Sequence, residues 1–548
     1  MSINAEVGHR KTWRSSVWRP ETDRTPGLPA EFWTLHRRFA VLAALACFFV
    51  VLHGGSLDLG ESESRLGLAS HESLGPFGQV FGGWDPSVRV GQLVPSLMWS
   101  WGEGFMTTMA SVRWPAVIAG VAIGLVLARR AAGTLNGKAA VLVGFCWYGS
   151  LGLIDRSSAT GLDLITGLWT VAAIDRILNR GSDLAAGVLL SLAFLCGGWP
   201  PIAIVALATV VMGRSGSGLS WRLLVPPAMV AAAWSAWALK VAPAEAWAAA
   251  LTLPLTEKPA WLLAPGVILL GLPWSPLAAI VLSRPMRASL TPRGRSLVIG
   301  WLQVAGACLL AGTLIPGIAT AASVPALAGL AVASAAVCER MLLGIESNAA
   351  RRWFAGSAVV LGLFWAVTVC AAGGYLTAAV AYYRGVAIIL IVLGVPAACL
   401  AVFSASRRDV RGSWLAFLIL AVSLKLAHAG YYVPEWNYRI SQGPWGRAVG
   451  QWVPPKWPIY TTTAWRADLA FATEHPVHRL ISPQHLQYQP GEARYVLLLG
   501  AEFDNWPENA AKLNKVAEFR DEFDARRVLA RTDGPLPWTR PASGRDVE

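Results

Sequence analysis

The residues of this chain best suited to chemistry lie between positions 61 and 65. Glu61 and Glu63 are carboxylates that could accept a proton from a hydroxyl group. Arg65 follows Glu61 by four residues, so the two could meet on one face of a helix. The same acidic segment is also typical of a solvated helix N-terminus, where carboxylates interact favourably with the helix dipole. Arg89 is a further candidate, because a guanidinium suits a phosphate, although lipid headgroups and solvent are commoner surroundings for such an arginine.

A second group of charged residues lies at the ends of apolar runs. Arg156 and Asp163 flank the start of one run, where charge is costly in lipid, so they require either an ion pair or a polar cavity. Lys258, which precedes Pro259, could belong to a phosphate site. Alternatively, it is an interfacial lysine that buries its aliphatic stem and keeps its ammonium group in water. Lys425 lies near the end of another run, and we expect its ammonium group to extend towards the membrane surface.

One further pair, His71 and Glu72, has the residue types of a metal site or a proton relay. A surface pair is the better interpretation, because no third ligand stands at a recognisable spacing. No cofactor follows from the sequence, and a divalent cation remains an open alternative. The seven cysteines lie within or at the ends of apolar runs without a CxxC spacing, so neither a disulfide framework nor a cysteine metal site is indicated.

The elements that must position these residues are hydrophobic. Hydrophobic residues make up 54% of the chain and charged residues 14%, and the mean hydropathy is +0.47. This balance is far from that of soluble domains and predicts an all-α polytopic membrane protein with about 13 transmembrane helices. The apolar runs lie at 39–53, 112–128, 139–154, 161–178, 184–197, 199–212, 222–242, 261–283, 297–315, 317–338, 354–375, 385–404 and 413–430.

The short gaps between runs predict the topology. Arginines and lysines occupy every second gap, and with thirteen spans they all fall on one side, which the positive-inside rule makes cytoplasmic. We therefore predict a cytoplasmic segment 1–38, a membrane domain 39–430 and an exported domain 431–548. The net charge of +13 is spread over these loops rather than gathered on one soluble face, which argues against nucleic-acid binding.

Two exported segments are more than connectors. The loop 54–110 mixes apolar and polar residues in a way that favours short interfacial helices. The tail alternates strand-like and helix-like stretches and predicts a small α/β domain. The predicted strands are 457–462, 477–481, 495–499 and 527–530, and the predicted helices are 445–452, 464–473 and 505–518.

Several motifs, in this order, resemble the GT-C membrane glycosyltransferases, specifically the group of the protein O-mannosyltransferases and the lipid A aminoarabinose transferase. That group has an Asp-Glu pair followed by Arg-Tyr-Ala in the first exported loop, then a Pro-Leu element ending in Trp, and Arg-Leu-Pro at the second span. Its later spans carry an Arg…Ala-Thr…Asp element, Lys-Pro-x-Trp and Leu-Pro-Trp. The corresponding residues here are Glu61 to Gly67, Val94 to Trp99, Arg113 to Pro115, Arg156 with Ala159, Thr160 and Asp163, Glu257 to Trp261, and Leu272 to Trp274.

The departures from the pattern fall on charged positions. Ser62 replaces the first acid of the pair, and Leu93 stands where the group has a lysine before the Pro-Leu-Trp element. Gly197-Gly198 replaces Lys-Gly at the sixth span, and no cation lies between Leu314 and Pro325. Several phosphate-facing charges are thus missing.

The resemblance implies an inverting transfer of a sugar from a polyprenyl-phosphate donor to an exported lipid, glycan or protein acceptor. Glu63 matches the second acid of the family pair and Glu61 could stand in for the first, so these two are the candidates that act at the acceptor hydroxyl. The candidate contacts to the substrate are Arg65, Arg89, Arg156, Asp163 and Lys258. The resemblance also implies a location in a bacterial inner membrane. The missing lysines favour a second hypothesis, a catalytically degenerate relative that binds membrane lipid or scaffolds the envelope. A secondary transporter is a third hypothesis, disfavoured because no internal repeat is evident.

Overall fold

The computed structural model describes residues 35–53, 58, 108–158, 162–179, 181–212, 220–241, 260–345, 347–439, 441–454, 457–462, 467–480, 483, 486, 493–520 and 526–532. Most of the described residues form a helical bundle. The remainder, from about residue 443 onwards, forms an α/β domain around one small sheet.

The bundle consists of long apolar helices and a few short ones. A 3-10 turn at Val51–His53 follows α1, and a π-helical turn at His428–Tyr432 joins α16 to α17. In chain order the helices are α1 (Leu35–Phe49), α2 (Thr108–Thr134), α3 (Gly137–Tyr148), α4 (Leu151–Ser158), α5 (Leu162–Leu178), α6 (Asp183–Gly197), α7 (Pro200–Val211), α8 (Trp221–Val241), α9 (Leu263–Leu270), α10 (Ser275–Ala278), α11 (Arg284–Ser289), α12 (Pro292–Leu314), α13 (Ala319–Leu342), α14 (Asn348–Ala379), α15 (Arg384–Arg407), α16 (Val410–Ala427) and α17 (Val433–Arg439).

The predicted class, a polytopic helical membrane protein with a small α/β domain, is confirmed. Each of the thirteen apolar runs coincides with one helix or one pair of consecutive helices in the described part of the chain. By length and hydropathy, six of the described helices could cross a membrane, or up to eight if each bent pair counts as one span. The break between the fifth and sixth runs lies at Gly198, whose φ of 72° suits glycine and ends α6.

Two spans are bent, and their bends meet. The axes of α3 and α4 differ by 58°, and the axes of α9 and the segment after it, Ser275–Leu282, differ by 106°. The Leu151 N–H at the first bend donates to the Leu272 carbonyl at the second, at 3.0 Å. The Ser334 hydroxyl donates to the Trp274 carbonyl at 2.8 Å. Backbone groups freed at the two bends are therefore satisfied by protein, as a membrane interior requires.

The helix α13 is the centre of the bundle, since 94% of its most apolar window is buried. Small residues let its neighbours approach closely. At Gly167 on α5 an added Cβ would overlap the Val324 side chain, and at Gly329 on α13 it would overlap the Trp301 carbonyl of α12. Packing around α13 is therefore set by glycines that a larger residue could not replace.

Polar contacts sort the helix ends into two sets. At one end, here called the Asn136 end, Arg130 pairs with Asp175 at 3.5 Å. There Asn136 caps α3 and donates to Glu339 at the end of α13. At the opposite end, called the Asp58 end, the Ala260 N–H before α9 donates to the Thr313 carbonyl of α12 at 2.9 Å. If successive apolar segments run in alternating directions, the two helix ends joined by each of these contacts lie on the same side of the bundle.

The α/β domain is built on a five-stranded sheet in the order β2-β1-β3-β5-β4. The strands β1, β2 and β3 are mutually parallel, whereas β5 runs antiparallel to β3 and β4. Its elements are α18 (Gly443–Trp452), β1 (Ile459–Thr461), α19 (Ala467–Ala472), β2 (Val477–Arg479), β3 (Tyr495–Leu499), α20 (Gly500–Asp504), β4 (Leu513–Arg520) and β5 (Arg526–Thr532).

The four predicted strands are confirmed, and one predicted helix is wrong. Residues 505–518 contain good helix formers, yet residues from Leu513 onwards form the edge strand β4. Pairing with β5 and packing of Val516, Ala517 and Phe519 against the core of the domain override the local propensity. A register shift between Lys515 and Ala517 interrupts the alternation that would have marked a strand in the sequence.

Candidate active site

Most of the predicted site lies outside the described residues. Glu61, Glu63, Arg65, Arg89 and Lys258 all belong to segments that the structure does not describe, so their roles stay predictions. Arg156 and Asp163 are described, and both lie at the Asp58 end of the bundle.

Arg156 and Asp163 form the predicted ion pair. The guanidinium Nε of Arg156 at the end of α4 donates to a carboxylate oxygen of Asp163 in the first turn of α5. The Nη2 group of Arg156 donates to the Ser323 hydroxyl of α13 at 3.0 Å, which ties the pair to the central helix. Its Nη1 group is buried without a hydrogen-bond partner in the described structure. The pair satisfies Asp163 and leaves Arg156 with donor capacity.

A second charged contact lies on the neighbouring residue of α4. Asp155 Oδ1 is 3.4 Å from His428 Nε2, at the point where α16 passes into the π-helical turn. The imidazole is buried, whereas 39% of the Asp155 side chain is exposed. Tyr432 lies beside the imidazole, with ring centroids 5.1 Å apart. An exposed carboxylate held by a buried imidazole can accept a further hydrogen bond from a ligand.

Lys425 does not extend to the membrane surface, so that prediction is wrong. The side chain is 1% exposed, and within the described chain its Nζ has no hydrogen-bond partner. It lies on α16 one helical turn before His428, a position from which the surrounding helices close off the route to the surface. A buried ammonium group without a partner is costly, and such residues in membrane proteins usually mark a functional site.

Asp58 is a site residue that the sequence analysis missed. Its carboxylate is 7% exposed and receives two bonds from the Arg447 guanidinium of α18, at 3.1 and 3.3 Å. Arg113 of α2 lies 3.9 Å away, and the Asp58 N–H donates to the Asn437 side chain at 2.7 Å. A Cβ at residue 443 would lie 2.9 Å from Asp58 Oδ2, so glycine there gives the carboxylate room.

This arrangement fixes the chain at Asp58. Asp58 stands three residues before Glu61 and is tied to α2, α17 and α18 together. Because both carboxylate oxygens already face guanidinium groups, Asp58 is suited to hold these elements together. The only sign in the sequence was that Asp58 stands close to Glu61 and Glu63, and nothing in the sequence identified the partners of Asp58.

The helix α4 lies at the centre of this end of the bundle. It packs against the turn Val51–His53, against α2 and α9, and against α16. On one side, its residue Asp155 contacts His428 at the start of the π-helical turn. Among the described residues no three His, Cys, Asp or Glu side chains gather as a metal site.

Known structures share this fold. The chain resembles crystal structures of ArnT from Cupriavidus metallidurans, both at 16% identity. The TM-score is 0.67 for the form bound to undecaprenyl phosphate, covering 92% of this chain and 100% of that one. For the apo form the TM-score is 0.63, covering 91% and 99%. The arabinosyltransferase EmbB from Mycobacterium smegmatis gives a TM-score of only 0.43 at 13% identity, covering 92% of this chain and 47% of that one.

By sequence the chain matches no protein-family model and no curated protein. The similarity is therefore one of fold. The chain has the polytopic GT-C fold of membrane glycosyltransferases, as the order of its motifs predicts.

Proposed function

We propose that this protein is a membrane glycosyltransferase that moves a sugar from a polyprenyl-phosphate donor to an exported lipid, glycan or protein acceptor. The observation that supports it most is the fold, which spans all of a transferase whose crystal form holds undecaprenyl phosphate. A lipid donor explains why the site would stand at the end of a membrane bundle rather than in a soluble domain.

The proposed site is the Asp58 end of the bundle, facing away from the cytoplasm. Glu61 and Glu63 follow the anchored Asp58 directly, and one of them accepts the proton of the acceptor hydroxyl. Arg65, Arg89 and Lys258 face the departing phosphate, whose negative charge grows during transfer. Arg156, held in place by Asp163, supplies a further cation through its unpaired Nη1 group.

Lys425 extends this proposal. The family lysines are absent at Leu93 and Gly197, and Lys425 offers a buried positive charge one turn from the Asp155–His428 contact. A low-dielectric setting strengthens its attraction for a phosphate group. We assign it the role of compensating for part of the missing charge.

The proposed orientation has a cytoplasmic N-terminus and an exported α/β domain. It is supported by the arginine-rich gaps in the sequence, because the Arg130–Asp175 and Asn136–Glu339 contacts bring together the helix ends beside three of them. Reporter fusions at Gly133, Ser182 and Asp533 test it. Activity of an export-dependent reporter at Gly133 would reverse the orientation.

Lipid affinity is the first test of function. Native mass spectrometry of the full chain with undecaprenyl phosphate should show binding, and a neutral polyprenol of equal length should bind more weakly. We expect Arg89→Ala and Lys258→Ala each to lower phosphate-lipid affinity by about 1–3 kcal/mol, the usual range for bonds to charged groups. Equal binding of phosphate lipid and polyprenol by the wild type would reject the donor.

Catalysis is tested in the acidic loop. Replacing Glu61 and Glu63 by Gln should abolish transfer with little change in stability, because the amide keeps the size of each side chain and removes only the proton-accepting carboxylate. Glu72→Gln in the same loop is the matched control and should retain activity. Full turnover by the Glu61→Gln, Glu63→Gln double variant would remove this loop from the mechanism.

A further inference from the structure

The α/β domain contains a cavity that the proposed transfer chemistry does not use. It has a volume of about 400 Å³, which is within the usual range for small-ligand pockets. Its lining begins at Thr462, directly after β1, and at Leu480, directly after β2. Pro483 also lines it, and the rest comes from α20 and the residues after it, which follow β3.

The position of the cavity follows from the topology of the sheet. The strands β1, β2 and β3 are parallel, and β1 lies between the other two. After β1 the chain continues to β2 on one side, and after β2 it crosses to β3 on the opposite side of β1, so the direction of the connections reverses at β1. In open α/β sheets the crevice beyond the carboxyl ends of strands at such a switch point is where ligands bind. The cavity occupies that crevice.

The polar groups of the cavity are held in fixed positions. Glu502 Oε2 accepts the Leu499 N–H at 2.9 Å, and Oε1 accepts the Thr462 hydroxyl at 3.1 Å, so this carboxylate bridges the ends of β3 and β1. The Trp506 indole N–H donates to the Ala511 carbonyl at 3.0 Å. The Asn505 amide nitrogen donates to the Ala501 carbonyl at 2.8 Å, which turns its oxygen away from that contact.

The lining indicates the chemistry of the ligand. A carboxylate, an amide and a hydroxyl stand beside a fixed indole and apolar side chains, and among the described residues no lysine, arginine or histidine lines the cavity. The negative charge of Glu502 disfavours phosphates and other anions. It suits a molecule with many hydroxyl groups along its edge and an apolar face to lie on the indole.

We propose that this cavity binds a neutral saccharide portion of the acceptor, so that the α/β domain presents a glycan to the membrane site. That the saccharide is part of the acceptor rests on the proposed function. That the domain binds a neutral saccharide is independent of the proposed function.

The test uses the full-length protein in nanodiscs and saturation-transfer NMR with neutral trisaccharides of glucose, mannose and N-acetylglucosamine. Ala501→Phe fills the cavity from an exposed position, and Glu508→Phe adds the same bulk at an exposed neighbour that does not line it. We expect at least one trisaccharide to bind the wild type, with affinity lowered on the order of tenfold by Ala501→Phe and unchanged by Glu508→Phe.

Three results would overturn the proposal: no trisaccharide binds, Ala501→Phe binds as the wild type does, or glucose 6-phosphate binds better than the neutral sugars. Binding of undecaprenyl phosphate and of polyprenol is measured on the same samples. Discrimination between the two lipids without saccharide binding rejects the cavity alone. Saccharide binding without lipid discrimination rejects the transferase and leaves the cavity as a saccharide site.

Discussion

Replacing Asp58 by Asn tests whether the chain between α1 and α2 is anchored through this residue. Asparagine keeps the shape of the side chain and removes the charge, so the two bonds from Arg447 and the attraction of Arg113 lose their ionic component. Bonds to charged groups contribute about 1.5–3 kcal/mol each. The Arg447 side chain is 47% exposed, however, and solvent screening reduces its share.

We therefore expect Asp58→Asn to lower the free energy of unfolding by about 2 kcal/mol, between the cost of a surface pair and that of a fully buried one. The measurement is unfolding by SDS in mixed micelles, followed by circular dichroism. Combined with Arg447→Gln in a double-mutant cycle, it should give a coupling energy of about 1 kcal/mol. Arg439→Gln breaks the more exposed contact with Glu435 and is the matched control, with an expected change below about 0.5 kcal/mol.

Transfer activity separates anchoring from chemistry at Asp58. An anchor predicts that Asp58→Asn and Arg447→Gln lower kcat by similar factors and that the double variant is no worse than either. A proton acceptor predicts that Asp58→Asn alone abolishes transfer. Additive stability effects, with a coupling energy below about 0.3 kcal/mol, would refute the anchor.

Three shorter predictions follow from other parts of the chain. Lys425→Met removes a buried charge, so we expect unchanged or higher thermal stability together with weaker binding of undecaprenyl phosphate. Unchanged lipid binding would show that Lys425 does not compensate for the missing family lysines. Gly329→Ala should cost about 1–3 kcal/mol through overpacking, whereas Gly306→Ala, whose added Cβ meets nothing within 4 Å, should be neutral or stabilising in the same SDS unfolding assay. The Arg526 guanidinium, with help from Lys515, lowers the pKa of Glu518 from 4.5 to about 2, so its small contribution to stability is complete above pH 4.5 and is lost as the pH falls through about 2. The difference in melting temperature between wild type and Glu518→Gln should therefore shrink on acidification, and a difference that grows would contradict this.

The fold was largely predictable because its main signal is local. A run such as 297–315 must be helical and apolar wherever it lies in the bundle, since a membrane interior leaves backbone groups no other partner. The strand at 495–499 was equally clear, because four of its five residues are buried and the run is uninterrupted. Residues 505–518 were not, because the pairing that makes a strand of Leu513–Arg520 comes from β5.

The site was less predictable because its contacts join distant parts of the chain. The spacing of Arg156 and Asp163, seven residues, was short enough to suggest a pair, and the pair is present. The burial of Lys425 depends on how neighbouring helices pack, which its position near a run end does not reveal. Asp58 meets Arg447 across 389 residues, so neither side chain could indicate the other.

That separation also sets an order of events during synthesis. Ribosomes add about 5–20 residues per second, so Asp58 is made roughly 20–80 s before Arg447. Throughout that interval every helix of the bundle can enter the membrane, yet Asp58 lacks the Arg447 guanidinium that donates to both of its carboxylate oxygens. A chain cut short before residue 447 would keep the bundle and lose this clamp, leaving the loop with the acidic residues without one of its anchors. Completion of the α/β domain is thus a physical condition for the full set of contacts at Asp58, and nascent or truncated chains are held short of it.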